Sequence, residues 1–275
     1  TQVPFPKPPD YSTARYELLA RSLWNTPDLT FNKVLLPGPL PNNKADVNNR
    51  GAVSTDHIGG SWDYPEASYA RRREIWEDHK RYQQGIMYFL ANEPVVPPKI
   101  QNELRKWGLA KDEFVDNGHW PHQLYIREAR RMIGEYVMKQ QDLQDERTKP
   151  DSIGMGSYNS DSHHVQRIPT PDGHVINEGD MQVPVKPYEI AYRCLLPKAG
   201  QCENLLVPVC VSASHVAYSS LRMEPVYMIM GHTAGLAAAQ SIRENVAVQR
   251  IDVTALQKQL REQRQILSEA ERVTP

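Results

Sequence analysis

The sequence predicts an α/β protein, and three observations carry that prediction. Residues 205–211 are a short apolar run bounded by polar residues, the pattern of a strand buried on both faces of a sheet, although Pro208 inside it counts against full pairing. From Pro225 to Arg243 no second proline interrupts a stretch in which Gly231, Ala234, Gly235 and Ala238 recur at helical spacing, beside apolar Val226, Ile229, Met230 and Leu236. Such a helix would be buried almost all round and would let another backbone approach its small-residue side. Residues 151–180, by contrast, are rich in Gly, Ser, Asn, Asp and His and contain two turn signals, Pro171-Asp172-Gly173 and Glu178-Gly179-Asp180. They read as a pair of strands around a tight turn, with 158–164 as the exposed, chemically dense part.

The remaining elements follow in chain order. Residues 1–10 hold Pro4, Pro6, Pro8 and Pro9 and read as an extended lead-in. Residues 11–24 read as a helix capped by Ser12 or Thr13, with Tyr16, Leu19 and Leu23 on one face. Residues 31–60 are dense in Pro, Gly and Asn and read as ordered loop with one short strand at most; Asn48, Asn49, Arg50 and Gly51 supply donors and an open backbone position there. A strong helix over 65–90 turns Arg71, Arg72 and Arg73 to solvent and Ile75, Tyr82, Ile86 and Phe89 inward. Pro97 and Pro98 open a helix that runs through Trp107, and 124–140 reads as another. In the latter, Arg127 and Arg131 lie one turn apart and could hold a carboxylate or phosphate together, or pair on the surface with Glu128 and Glu135. Asp252 or Thr254 caps a last helix in which Leu256, Leu260 and Leu267 pack inward.

Composition narrows the function. With 275 residues, 40% of them hydrophobic and 24% charged, the chain has ample material for a packed core. A net charge of −1 gives no long-range attraction for nucleic acid or an anionic membrane, and no apolar run approaches the ~20 residues needed to span a bilayer. Cys194, Cys202 and Cys210 are odd in number and contain no Cys-x-x-Cys pair, which suits neither a disulfide framework nor a zinc site. Cys210, inside the apolar run, reads as a small buried hydrophobe.

Five segments carry a family resemblance: KPPDYSTARYELL (7–19), STDHIGGSWDYPEASY (54–69), FVDNGHWPHQLYIREARRMIGEYVM (114–138), GMGSYNSDSHHVQR (154–167), and the stretch 204–242 with Arg222-Met223-Glu224-Pro225 and GHTAGLAAA. Together they resemble the FAD-dependent oxidoreductase family sometimes labelled xanthan-lyase-like. The resemblance implies FAD as cofactor and a small-molecule substrate. It places Ser212, Ser214, Arg222, Met223, Glu224 and Pro225 along the flavin, with Tyr158, Asp161, His163 and His164 lining the substrate side. There a histidine would take the proton of an alcohol or sugar-like substrate while hydride leaves to the flavin, and Asp161 would orient it.

The sequence has no Gly-x-Gly-x-x-Gly following a strand, and in the resembled family that loop lies in an N-terminal βαβ unit. The expectation is therefore a C-terminal portion whose partner is a missing N-terminal FAD-binding half. Residues 1–195 would be the substrate-domain portion, and 196–275 the strand-helix return of a Rossmann-like FAD domain with a final helix. Two other classes stay open. A metal-dependent hydrolase or lyase would use Asp161, His163, His164 and His174, although adjacent histidines on a strand point to opposite sides. A carbohydrate-binding module would stack sugars on Trp62, Trp120, Tyr125 and Tyr158.

Overall fold

The computed structural model describes residues 2–128 and 130–272. In chain order these form β1 (Gln2–Val3), α1 (Glu17–Asn25), β2 (Leu36–Leu40), β3 (Lys44–Asn48), α2 (Tyr69–Asn92), α3 (Pro98–Leu104) and β4 (Leu109–Ala110). There follow α4 (Gln140–Gln144), β5 (Ser152–Gly156), β6 (Ser160–Ser162), β7 (Gln166–Pro169), β8 (Val175–Glu178), β9 (Met181–Val183) and β10 (Tyr188–Ala191). The chain ends with α5 (His215–Leu221), α6 (Glu224–Glu244) and α7 (Val253–Glu262). The fold is thus mixed α/β, and among the described residues its strands pair only as two-stranded antiparallel ladders. Two compact units alternate along the chain, Thr1–Ile126 with Val165–Glu178, and Arg127–His164 with Gly179–Pro275.

The first unit is built on α2. Ser68 caps it by accepting a hydrogen bond from the Arg71 amide, and its inner face buries Ile75, Tyr82, Ile86, Phe89 and Leu90, the face the sequence period predicts. Tyr16, Leu19 and Leu23 of the preceding turn and α1 close the same core. Tyr16 comes in so close that a Cβ on residue 85 would lie 2.0 Å from its hydroxyl oxygen, which is why α2 carries Gly85 in mid-helix. The hydroxyl donates to the Tyr82 carbonyl. Two expectations are corrected here. Residues 36–48 form a true hairpin rather than one short strand, because Pro37 and Pro39 are two residues apart and both missing N–H groups face away from β3. Helix α3 also stops at Leu104, short of Trp107. The expected turn at 171–173 closes the hairpin of β7 and β8.

The second unit packs α6 and α7 onto the β5–β10 ladder around Ile153, Tyr188, Ile190, Met230 and Leu260. Asp252, not Thr254, caps α7, accepting from the Thr254 and Ala255 amides. Leu256 and Leu260 are buried on this helix, while buried Leu267 lies beyond its end.

Four further expectations change in this unit. Residues 124–139 are not helical, and the helix there is only α4; Ala129 lies outside the described residues. The amides of Met132, Glu135 and Met138 donate to the carbonyls of Cys210, Leu196 and Ser212, so the backbone is satisfied by distant chain instead of by its own turns. The run 205–211 is not a strand either. Leu205 and Val209 are exposed, Cys210 is exposed rather than a buried hydrophobe, and the extended segment that is buried is Val211, Ser212 and Ala213. The buried cysteine is Cys194, whose thiol burial pushes up. Between residues 211–213 and α6 lies α5. Finally, α6 is not buried all round: Val226, Met230, Thr233, Ala237 and Gln240 face inward, while Met228, Gly231, Gly235 and Ile242 are exposed.

Candidate active site

The second unit brings its chemically dense residues together where β6 packs against α5. Successive residues of a strand face opposite ways, so Asp161 and Ser162 serve two different arrays. Asp161 opposes Gln182 in the β6–β9 ladder, and its Oδ1 accepts from Gln182 Nε2 at 2.6 Å. Arg222, at the C-terminal end of α5, donates from Nη2 to the Asp161 carbonyl at 2.8 Å and to Oδ2 at 3.0 Å. Tyr158 Oη donates to the same Oδ2 at 3.3 Å, and Arg127 Nη1 lies 4.0 Å from it.

The side chains of Arg222 and Asp161 are 4% and 11% exposed, so this is a desolvated ion pair whose lone pairs are met by charge-assisted and neutral donors. Burial, and then the Asp161 charge, push the Tyr158 phenol up, which keeps it a proton donor at neutral pH. Behind this cluster, Ser220 Oγ donates to the Tyr158 carbonyl and shares a 2.7 Å hydrogen bond with the buried Tyr188 hydroxyl.

The second array starts at His215, the first residue of α5. Its Nδ1 lies 2.8 Å from Glu128 Oε2 and its Nε2 3.5 Å from Ser162 Oγ. Glu128 also accepts from Arg131 Nη1 at 2.8 Å, so the surface pairing expected for Arg131 is present although the helix expected to bring Arg127 and Arg131 together is not.

The residues expected at the site divide as follows. Tyr158 and Asp161 meet Arg222, but Asp161 does not orient a histidine, since its carboxylate is taken by Arg222, Gln182 and Tyr158. His163 and His164 are half-buried at the end of β6, whereas Ser160, Asp161 and Ser162, expected to be exposed, are buried. Ser212 is wholly buried and its Oγ accepts from the Gly134 amide; Ser214 Oγ accepts from the Ala217 amide and caps α5. Met223 is the N-cap residue of α6, and Glu224 and Pro225 are its exposed first two residues.

Glu128, Gln182 and His215 are the residues that sequence reasoning missed. Ser214 followed by a helix-compatible run is a cap signal that would have started a helix at His215. No local signal links His215 to Glu128, 87 positions away. Among the described residues no group of three or more His, Cys, Asp or Glu side chains is placed to hold a metal ion, so Asp161, His163, His164 and His174 do not assemble as a ligand set. No helix of the described residues is long and apolar enough to cross a membrane.

The family model for FAD dependent oxidoreductases matches residues 1–260. Searches among curated proteins and among solved structures found no match. A family match over nearly the whole chain is decisive: the chain belongs to the FAD-dependent oxidoreductase family, a flavoprotein family whose cofactor is FAD.

Proposed function

We propose that the protein oxidises a small alcohol or sugar-like substrate by transferring hydride to FAD. The family match over residues 1–260 carries this reading. In it, residues 1–195 serve the substrate, residues 196–275 serve the flavin, and the grip on the FAD pyrophosphate lies in a separate βαβ unit.

The residues present suit one edge of a flavin. The first turn of α6, at Met223, Glu224 and Pro225, reaches the surface of its unit, and a helix start carries partial positive charge that favours electron-rich ring carbonyls. Ser160 Oγ is buried and has no hydrogen-bond partner among the described residues, a hydroxyl that a bound polar group would satisfy. Ser212 and Ser214 would act there by shaping the backbone, because their hydroxyls already accept from amides.

Bound FAD supplies the two-electron acceptor. Tyr158, Asp161, His163 and His164 would line the substrate side. The Tyr158 hydroxyl, whose proton goes to Asp161 Oδ2, would accept a hydrogen bond from a substrate hydroxyl, and Arg222 holds Asp161 so that the loop around it keeps its shape. The test is the visible spectrum of the purified intact protein. Oxidised-flavin bands at one equivalent per chain, bleached anaerobically by an alcohol or sugar, are expected. A colourless protein that takes up no added FAD would overturn the reading.

A further inference from the structure

We propose that His215, oriented by Glu128, is the proton acceptor of this site. The inference rests on the oxidoreductase reading and adds the residue which that reading leaves unassigned. A carboxylate only accepts hydrogen bonds, so the 2.8 Å contact from Glu128 Oε2 places the imidazole proton on Nδ1 and leaves the lone pair on Nε2. On the other side of Glu128, Arg131 Nη1 at 2.8 Å holds the carboxylate in that orientation.

The neighbour of Nε2 is Ser162 Oγ, at a long 3.5 Å, and the Ser162 proton has a nearer acceptor in the Gly179 carbonyl at 3.2 Å. The basic nitrogen is therefore not consumed by a strong internal hydrogen bond. The His215 side chain is 45% exposed, open to a small molecule, while Glu128 behind it is 22% exposed.

Placement supports the same role. His215 opens α5 and Arg222 follows its end, and the strand packed on that helix carries Ser162 beside Asp161. One helix-strand contact thus positions both the candidate base and the cluster assigned to the substrate side. Asp161, two positions before His163, has its own carboxylate committed to Arg222 and Gln182.

The step balances. The substrate O–H bond breaks and its proton goes to His215 Nε2, while the freed electron pair forms the carbonyl. Bound FAD would supply the two-electron acceptor for the hydrogen that leaves carbon with its bonding pair, so that the substrate would lose two electrons and two hydrogens.

Two measurements on the intact, FAD-loaded protein test this. In the first, mapped modification by diethylpyrocarbonate at neutral pH is expected to label His215, and Glu128→Gln to slow that labelling several-fold, since the amide no longer fixes the Nδ1–H tautomer. In the second, His215→Ala is expected to retain its flavin yet lose about 10²–10⁴-fold in the rate of flavin bleaching by substrate, with partial rescue by added imidazole. His174→Ala, at the exposed tip of the β7–β8 hairpin, is expected to leave that rate unchanged. Wild-type bleaching rates in both His215→Ala and His215→Gln would overturn the assignment while leaving the oxidoreductase reading intact. Labelling of Ser162 by a fluorophosphonate would also overturn it, by turning Ser162, His215 and Glu128 into an acyl-transfer triad. Absence of flavin from the wild type would instead defeat the reading on which the inference rests.

Discussion

Each of the two compact units has a long helix with glycine inside it and an Asp–Arg pair within its cluster of polar side chains, Arg15–Asp78 in the first and Arg222–Asp161 in the second, and the two units use these parts in opposite ways. In the first unit α2 is tightly packed, with Gly85 making room for Tyr16, while the Arg15–Asp78 pair is solvated, its side chains 35% and 47% exposed. In the second unit α6 leaves Gly231 and Gly235 in open space, an added Cβ meeting no described atom within 4 Å beyond its chain neighbours and the helix's own nearby backbone, while the Arg222–Asp161 pair is buried. A buried charge pair is weak support for stability, because desolvation offsets much of its attraction. Its retention beside Tyr158 is better explained by function than by folding. The solvated pair needs no such explanation.

The largest test of this contrast is the pair itself. Arg222→Met leaves Asp161 buried beside an apolar chain and is expected to destabilise the protein by about 3–5 kcal/mol in urea unfolding. Arg15→Met is expected to change it by no more than about 1 kcal/mol. Equal losses would erase the difference between the units. Next in size, Gly85→Ala drives a methyl group into the Tyr16 hydroxyl and is expected to lower stability by about 1–3 kcal/mol. Because Tyr16 Oη is the nearest obstacle, Tyr16→Phe should recover part of that loss, a coupling that a double-mutant cycle measures directly. Gly231→Ala has the opposite sign, with an expected gain of about 0.5–1 kcal/mol, since a glycine inside an exposed helix face costs backbone entropy and meets nothing. A loss at Gly231 would mean that this face of α6 is covered in solution.

How much of this was legible in the sequence depends on how local the cause is. The buried faces of α1, α2 and α7 were readable because the 3.6-residue period of Tyr16, Leu19 and Leu23, of Tyr82, Ile86 and Phe89, and of Leu256 and Leu260 is itself the cause of their burial. Residues 124–139 show apolar spacing that also suits a helix, yet their amides bond to carbonyls at 196, 210 and 212, a choice made by chain that is distant in sequence. The same zipper moved the buried extended segment from 205–211 to 211–213. The spacing of Gly231 and Gly235 suggests a close-packing stripe, but glycine spacing alone cannot tell a packed face from an open one, as the contrast with Gly85 makes plain. At the site, the polar density of 158–164 and the family motif at Arg222 were visible, whereas the pairing of His215 with Glu128 exists only in three dimensions.

The smallest expected effect concerns pH and the solvated cluster. His57 Nε2 lies 2.7 Å from Asp78 Oδ2 and 3.1 Å from Arg15 Nη2; its ring stacks on Tyr82 at 4.4 Å and meets His79 edge-on at 4.9 Å. Burial pulls His57 below its ordinary 6.5, outweighing the hydrogen bond to Asp78. Asp78 also lies below its ordinary 3.8: burial pushes it up, but the hydrogen bonds from His57 and Arg15 prevail. For His57 the unfolded chain binds the proton more readily, so stability falls as pH drops through about 6.5 and stays lost below the folded value. For Asp78 the stabilisation is present above 3.8 and disappears as pH falls through the lower folded value. The two losses therefore occupy separate windows. The expected result is a melting temperature that declines between pH 7 and 5, with a smaller decline in His57→Gln. If wild type instead gained stability on acidification relative to His57→Gln, the attraction of Asp78 would outweigh burial, and the solvated pair would prove the stronger determinant of its unit.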